Sequence, residues 1–189
     1  MVGSALLTGC ITDVWTGASL VYDRHNIYKQ INEFQLSAAA SRALYKDKVF
    51  KGHDCSIDIA EASRDILLAG YVPTAAYREE AFKRVSQVKG YRHIYNELAI
   101  GKVEGNALQD NWITTKIRSN IFADASIDPH PFKVVTAQGI VYLMGDVYPK
   151  QAAKVIQFAR DCNGVKRVVV LFRYIKLTDR MPKSKVNIS

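Results

Sequence analysis

The chain has 189 residues, of which 48% are apolar and 23% charged, with 26 Lys and Arg against 18 Asp and Glu for a net charge of +8. That is the profile of a globular protein of one or two domains rather than a low-complexity chain, and no run approaches the roughly 18 consecutive apolar residues that a membrane-spanning helix needs. The positive excess predicts attraction to acidic surfaces, whether anionic lipid, nucleic acid or acidic polymers, and composition does not choose among these or against a merely solvated basic surface.

In chain order, the first informative stretch is Leu6-Leu7-Thr8-Gly9-Cys10. It resembles the lipobox of bacterial lipoproteins, with Leu three positions before Cys and Gly immediately before it. Such a match implies a lipidated Cys10, because acyl chains contributing about 0.8 kcal/mol per buried methylene hold a soluble domain at a bilayer. The stretch departs from the usual pattern: no Lys or Arg precedes it, and its apolar part is short for a signal peptide. Ile11 to about Asn32 has no clear period and reads as a tether.

Apolar residues spaced by four, Leu36, Ala40 and Leu44, predict a helix from about Asn32 to Tyr45. Ser56–Ala60 alternates as a strand, 61–65 reads as a turn, and Ile66–Val72 as a second strand. Pro73-Thr74 opens a helix with Ala76, Phe82 and Val85 as inward candidates, and Tyr91–Leu98 closes the set as a third strand. Gly101–Gln109 reads as a linker. Asp110 or Asn111 then caps a helix carrying Ile113, Ile117 and Ile121. A hairpin turns at Gln138-Gly139 between Phe132–Ala137 and Ile140–Asp146. Pro149 starts a helix reaching about Cys162, and Val165–Lys176 is the last strand, with Val168 to Phe172 as a buried run. The residues from Asp179 onward are polar.

These elements are one helix–strand–strand–helix–strand unit written twice. Laying Ile113 on Leu36 aligns both helix stripes. Ile66-Leu67-Leu68-Ala69-Gly70 then answers Val141-Tyr142-Leu143-Met144-Gly145, and a second Gly, Gly90 or Gly164, ends each later helix. Those four glycines have structural explanations, as helix ends and close approaches. The predicted class is α+β: two tandem units of about 65–75 residues, each a three-stranded mixed sheet with two helices on one face, too small to dispense with mutual support. In this alignment Trp112 falls opposite Gln35. A position that tolerates Gln is not a core position, so Trp112 is expected on an exposed helix face; the competing reading packs it between the units.

The paired units resemble BON domains, and more closely the dual-BON outer-membrane lipoproteins associated with division, outer-membrane stress and phospholipid binding. The resemblance rests on Asp110-Asn111-Trp112-Ile113-Thr114-Thr115-Lys116-Ile117-Arg118-Ser119, on Val141–Gly145 and on Gly164-Val165-Lys166-Arg167-Val168. It covers about residues 30–176 and is stronger in the second half. It implies a signal-peptide remnant at 1–9, a lipidated tether at 10–31, BON domains at 32–100 and 110–177 around a 101–109 linker, and a polar tail at 178–189. It further implies a lipid anchor in the outer membrane facing the periplasm, and anionic phospholipid bound by the first helix of the second domain with Trp112 entering the lipid. Lys116, one turn on, and Arg118 would meet phosphate, and Phe122 is a further contact candidate; Ile117 belongs to the core. Ile11, not Asp, after Cys10 favours the outer membrane. The partners implied are an anionic phospholipid membrane and envelope proteins, with no nucleic acid, no metal and no cofactor.

An enzyme is not expected. The chain has no G-x-S-x-G, P-loop, G-x-G-x-x-G or H-E-x-x-H, and His25, His53, His93 and His130 lie far apart in sequence. His53-Asp54-Cys55 is a weak nucleophile pattern. Cys55 and Cys162 read as separate thiols or as a pair. The alternatives to lipid binding are an envelope protein–protein adaptor and, more remotely, a basic nucleic-acid-binding module, against which no G-x-x-G loop and no paired sheet aromatics are found.

Overall fold

The computed structural model describes residues 35–52, 54–101 and 105–176. Cys10, the tether, His25, His53 and the polar tail lie outside them. The first unit comprises α1 (residues 35–44), β1 (Ser56–Ala62), β2 (Asp65–Val72), α2 (Ala75–Ser86) and β3 (His93–Ile100). The second comprises α3 (Ala107–Ala123), β4 (Lys133–Ala137), β5 (Ile140–Val147), α4 (Pro149–Arg160) and β6 (Arg167–Tyr174). Each unit forms its own sheet, ordered β1-β2-β3 and β4-β5-β6, antiparallel at the hairpin and parallel between its last two strands.

The helix side of each sheet holds one core. Leu36, Ala40 and Leu44 of α1 close on Ile66, Leu68 and Val72 of β2, and Ile113, Ile117 and Ile121 of α3 close on Val141 and Leu143 of β5. Successive strand residues point to opposite faces, so Leu67 and Ala69, Tyr142 and Met144 project away from the helices. They meet in a third cluster with Ala60, Ala62 and Ala137. The two sheets therefore pack face to face, with helices on both outer sides. This explains why β2 and β5 read as unbroken apolar runs: both faces are covered. Arg92 adds a polar tie across the units, holding buried Asp65 of its own unit and reaching Asp146 at 3.5 Å.

Gly70 and Gly145 lie inside strands at φ 109° and 131°, where a Cβ would overlap the carbonyl oxygen of Ser56 or of Pro131. These are backbone contacts that only glycine permits.

The structure corrects several expectations. The first hairpin is tighter than expected: β1 runs on to Ala62, and Ser63-Arg64, at φ 51° and 69°, make a two-residue turn that matches the twist of the strands. On α2 the buried residues are Ala81, Arg84 and Val85, while Ala76 and Phe82 face solvent. Arg84 is accommodated by Asp47 at 2.9 Å, Glu80 at 2.7 Å and the Leu44 carbonyl at 3.1 Å. The helix of the second unit is capped by neither Asp110 nor Asn111. It starts at Ala107, so Ala107–Gln109 belong to it rather than to the linker. The last strand is half-exposed instead of buried, because β6 is an edge strand with one neighbour. Cys55 and Cys162 are free thiols in the two separate helix-side cores, with both sheets between them.

Candidate membrane-facing site

Asn106 sets the start of α3, its side-chain oxygen accepting from Leu108 N at 3.0 Å and Gln109 N at 3.3 Å. Freed from capping, Asp110 turns back to the β4–β5 turn and accepts from Gln138 N at 2.7 Å and Gly139 N at 2.8 Å. Thr114 Oγ1 donates to Thr136 Oγ1 at 2.8 Å. With the three isoleucines beneath, these bonds fix the rotation of the helix on its sheet.

At 3.6 residues per turn the helix advances about 100° per residue. Ile113, Ile117 and Ile121 form the inward stripe. Leu108, Trp112 and Phe122 fall within an arc of about 80° on the opposite side, spread over roughly 21 Å of helix length. They are 81%, 52% and 64% exposed. Lys116 and Arg118, both exposed, stand about 80° to either side of this stripe. The helix thus buries one apolar face in its own domain and presents outward three large apolar side chains, with the exposed Thr115 and Ser119 between Trp112 and Phe122 and a cation on either side. Trp112 does not pack between the units: it belongs to none of the three clusters. Gln35, its counterpart in the first unit, is also exposed.

The far end of α3 is pinned to α4. Asp124 accepts from Lys154 Nζ at 2.8 Å and from Ser126, and these partners hold its carboxyl down at about 2. Leu108 is the residue that sequence reasoning missed. Its i,i+4 spacing from Trp112 is a readable signal once Asn106, not Asp110, is taken as the helix cap.

The other candidates do not assemble into a reactive site. Burial pushes both Cys55 and Cys162 above the usual thiol range, away from the nucleophilic thiolate. The His93 ring lies 4.4 Å from that of Tyr95 at a tilt of 58°, His130 lies 2.8 Å from Asp128, and no group of three metal-ligating side chains exists among the described residues. A cleft of about 640 Å³ opens between the units beside the start of α3, lined by Asp58, Tyr71 and Asp110, and partial burial there, with Asp110 nearby, raises the Asp58 carboxyl. No described helix is long and apolar enough to cross a membrane.

A tandem αββαβ fold whose second half presents large apolar side chains outward from its first helix defines a class, and comparison agrees with it. The BON domain family matches residues 32–102 and 109–176, and the chain belongs to that family. Among individual proteins, it is 29% identical over 175 residues to the outer membrane lipoprotein DolP of Haemophilus influenzae, covering 89% of this chain and 90% of that one. It is 30% identical over 149 residues to a 21 kDa hemolysin of Actinobacillus pleuropneumoniae, covering 78% and 76% of the two chains. Over 182 residues it is 26% identical to osmotically-inducible protein Y of Escherichia coli, covering 89% of each.

Proposed function

We propose that this protein is an outer-membrane lipoprotein, anchored through Cys10 and facing the periplasm, that lays α3 of its second BON domain on anionic phospholipid in support of envelope integrity. The observation that carries the reading is the outward stripe of Leu108, Trp112 and Phe122, flanked by Lys116 and Arg118. Leu108 and Trp112, one turn apart, and Phe122 further along are three exposed large apolar side chains on one helix face, suited to partial insertion beside the polar Thr115 and Ser119. Trp suits the head-group boundary because its ring is apolar while its N–H stays wet. Each flanking cation adds about 1 kcal/mol near an anionic surface. A partly inserted stripe with two cations gives weak, reversible binding, and a covalent anchor makes weak binding sufficient by raising local concentration. The kinship with a protein named as an outer membrane lipoprotein supports the location.

The test is co-sedimentation of the chain from Ile11 onward with phosphatidylglycerol-containing or neutral vesicles, beside Trp112→Glu. Binding to the anionic vesicles, weakened by salt and lost in the variant at unchanged thermal stability, is the expected result. Retained binding in Trp112→Glu overturns the site. Binding to neither vesicle leaves an adaptor held at the membrane by Cys10 alone.

A further inference from the structure

Each sheet has two outer strands, β1 and β3 or β4 and β6, and β3 and β6, the last strand of each unit, each leave one backbone edge unpaired by their own sheet. The ladders fix which residues face outward. In a parallel ladder each residue directs both its N–H and C=O to the same side, alternating along the strand. Gly101 N donates to Val72 O and Ile175 N to Val147 O, so the odd-numbered residues of both strands face inward. Outward-facing groups are those of Ile94, Asn96 and Leu98 on β3 and, three strands later in the repeat, Val168, Val170 and Phe172 on β6.

The first unit blunts the middle of its edge. Arg78 of α2 donates Nη2–H to the outward Asn96 carbonyl at 2.8 Å, and the Asn96 amide donates back to the Arg78 carbonyl at 3.2 Å. Among the described residues the second unit has no matching tie. Aligning the helix caps Thr74 and Tyr148 and the strand starts His93 and Arg167 puts Ala152 where Arg78 stands and Val170 where Asn96 stands. A methyl group cannot reach an edge carbonyl. Val170 is 39% exposed at the middle of a strand reading Arg-Val-Val-Val-Leu-Phe-Arg-Tyr, with Tyr174 exposed beyond it. Long, apolar, uncovered edges are pairing surfaces, and proteins ordinarily blunt them. Here one unit is blunted and the other is not.

Charge selects the occupant. The groove beside Asn96 carries Glu79 and Glu80; of the matching positions in the second unit, Ala153 is uncharged and Lys154 turns to Asp124 at the end of α3, so the basic character near Val170 comes from exposed Lys150, Arg160 and Arg167. In the register centred on Val170 a second molecule of this chain fits less well than an acidic segment: antiparallel pairing of two β6 strands sets Arg167 of each against Arg173 of the other, and like charges directly opposite are destabilising, here reduced by the pairing of Arg173 with Asp146. We propose that the outer edge of β6 is a docking edge for an extended segment of a partner polypeptide, apolar at alternate positions and flanked by acidic residues, which adds to the sheet beside β6. Main-chain bonds to Val168, Val170 and Phe172 supply affinity and the basic rim supplies selectivity. Because α3 packs over β4 and α4 over β6, the edge lies across the sheet from the stripe of α3. One domain can hold a membrane and a partner strand at once.

The experiment uses the full chain and two fluorescein-labelled peptides, Glu-Val-Thr-Val-Thr-Val-Glu and its Lys-flanked counterpart, read by anisotropy and by amide hydrogen exchange. The acidic peptide is expected to bind at least about tenfold tighter than the basic one and to protect the amides of Val168, Val170 and Phe172. Val170→Pro removes an outward N–H while leaving the β5 ladder intact, and Val170→Glu sets a negative charge against the acidic peptide; each lowers affinity by about tenfold at unchanged circular dichroism. Trp112→Glu leaves this binding unchanged, which separates it from lipid binding. Equal binding of both peptides, binding that survives both Val170 variants, or no binding to a monomeric chain overturns the proposal. A dimer that dissociates in Val170→Pro overturns the choice of occupant in favour of a second molecule.

Discussion

The two units share a fold and differ where the fold does not constrain them. Trp112, Lys116, Arg118 and Phe122 of α3 correspond to Gln35, Ala39, Ser41 and Tyr45 of the first unit. Trp112, Lys116 and Arg118 thus have no aromatic or cationic counterpart in the first unit, and Tyr45, opposite Phe122, turns inward, donating its hydroxyl to the Ile57 carbonyl at 3.0 Å; Leu108 answers the apolar Ile31, which lies outside the described residues. The edge strands diverge in the same direction, blunted at Asn96 by Arg78 in the first unit and left apolar in the second. The inward stripes, meanwhile, match position for position. Packing sets the inward residues, while those facing water are free to diverge, and here the interaction features gather in one unit while the other supports it.

The largest effect probes what the units have in common. Gly145→Val places a side chain into the Pro131 carbonyl at a backbone angle that L-residues avoid, and should cost about 4 kcal/mol by strain and overpacking together. Differential scanning calorimetry then reports more than a loss of stability. If the face-to-face sheets make the units one cooperative body, both melt together at the lowered temperature; two separate transitions, with the first unit unmoved, would break that picture. Next comes the shared cluster itself. Tyr142 is buried against Leu67, Ala69 and the small residues Ala60 and Ala62, so the second unit supplies bulk where the first supplies room. Tyr142→Ala should cost about 3 kcal/mol in urea denaturation, and a value below about 1 kcal/mol would mean the interface contributes little.

A smaller change makes the outward face of the second unit more like the first. Trp112→Gln installs the residue found at Gln35. Vesicle affinity should fall by about tenfold, the loss of one partly inserted aromatic. Stability should stay within about 0.5 kcal/mol, as for other surface substitutions. Unchanged affinity would mean that Leu108 and Phe122 carry the contact and that the difference between the two helices has been placed on the wrong residue.

How much of this was readable beforehand differs from one feature to the next. The repeat, the inward isoleucines and the exposure of Trp112 follow from periodicity, because a helix stripe is a local pattern. Three features were not local. Asn106, Asp110 and Asn111 are all good caps by residue type, and only the position of the β4–β5 turn decides that Asp110 serves Gln138 and Gly139 instead. Leu108 was hidden by the same ambiguity. The run from Val168 to Phe172 has the composition of a strand buried on both faces, yet it sits at the rim of its sheet, and strand order is not written in any one strand's composition. The packing of sheet on sheet was legible in principle: Leu67 and Tyr142 are apolar on the face away from the helices, and a solvated sheet would not place them there.

The finest distinction between the units is how each fastens the end of its first helix. In the first, the cation is on α2 and is buried: Arg84 reaches the Leu44 carbonyl and Asp47, and lies 5.1 Å over the Phe50 ring. In the second, the cation is Lys154 of α4 and the tie to Asp124 is exposed, so only a small share of stability rides on it. The carboxyl, held at about 2 by Lys154 and Ser126, lies below its ordinary value of 3.8. A group whose folded pKa is depressed contributes stability above its unfolded pKa and loses it as pH falls through the folded one. The contribution of Asp124 is therefore complete above about pH 4 and gone below about pH 2. An NMR titration of the carboxyl carbon should give a midpoint of about 2, moving up toward the ordinary value in Lys154→Met. The stability gap between the native chain and Asp124→Asn should close over the same interval. A gap that persists at low pH would show that Asp124 acts through its side-chain hydrogen bonds from Ser126, N at 2.9 Å and Oγ at 2.6 Å, and not through its charge.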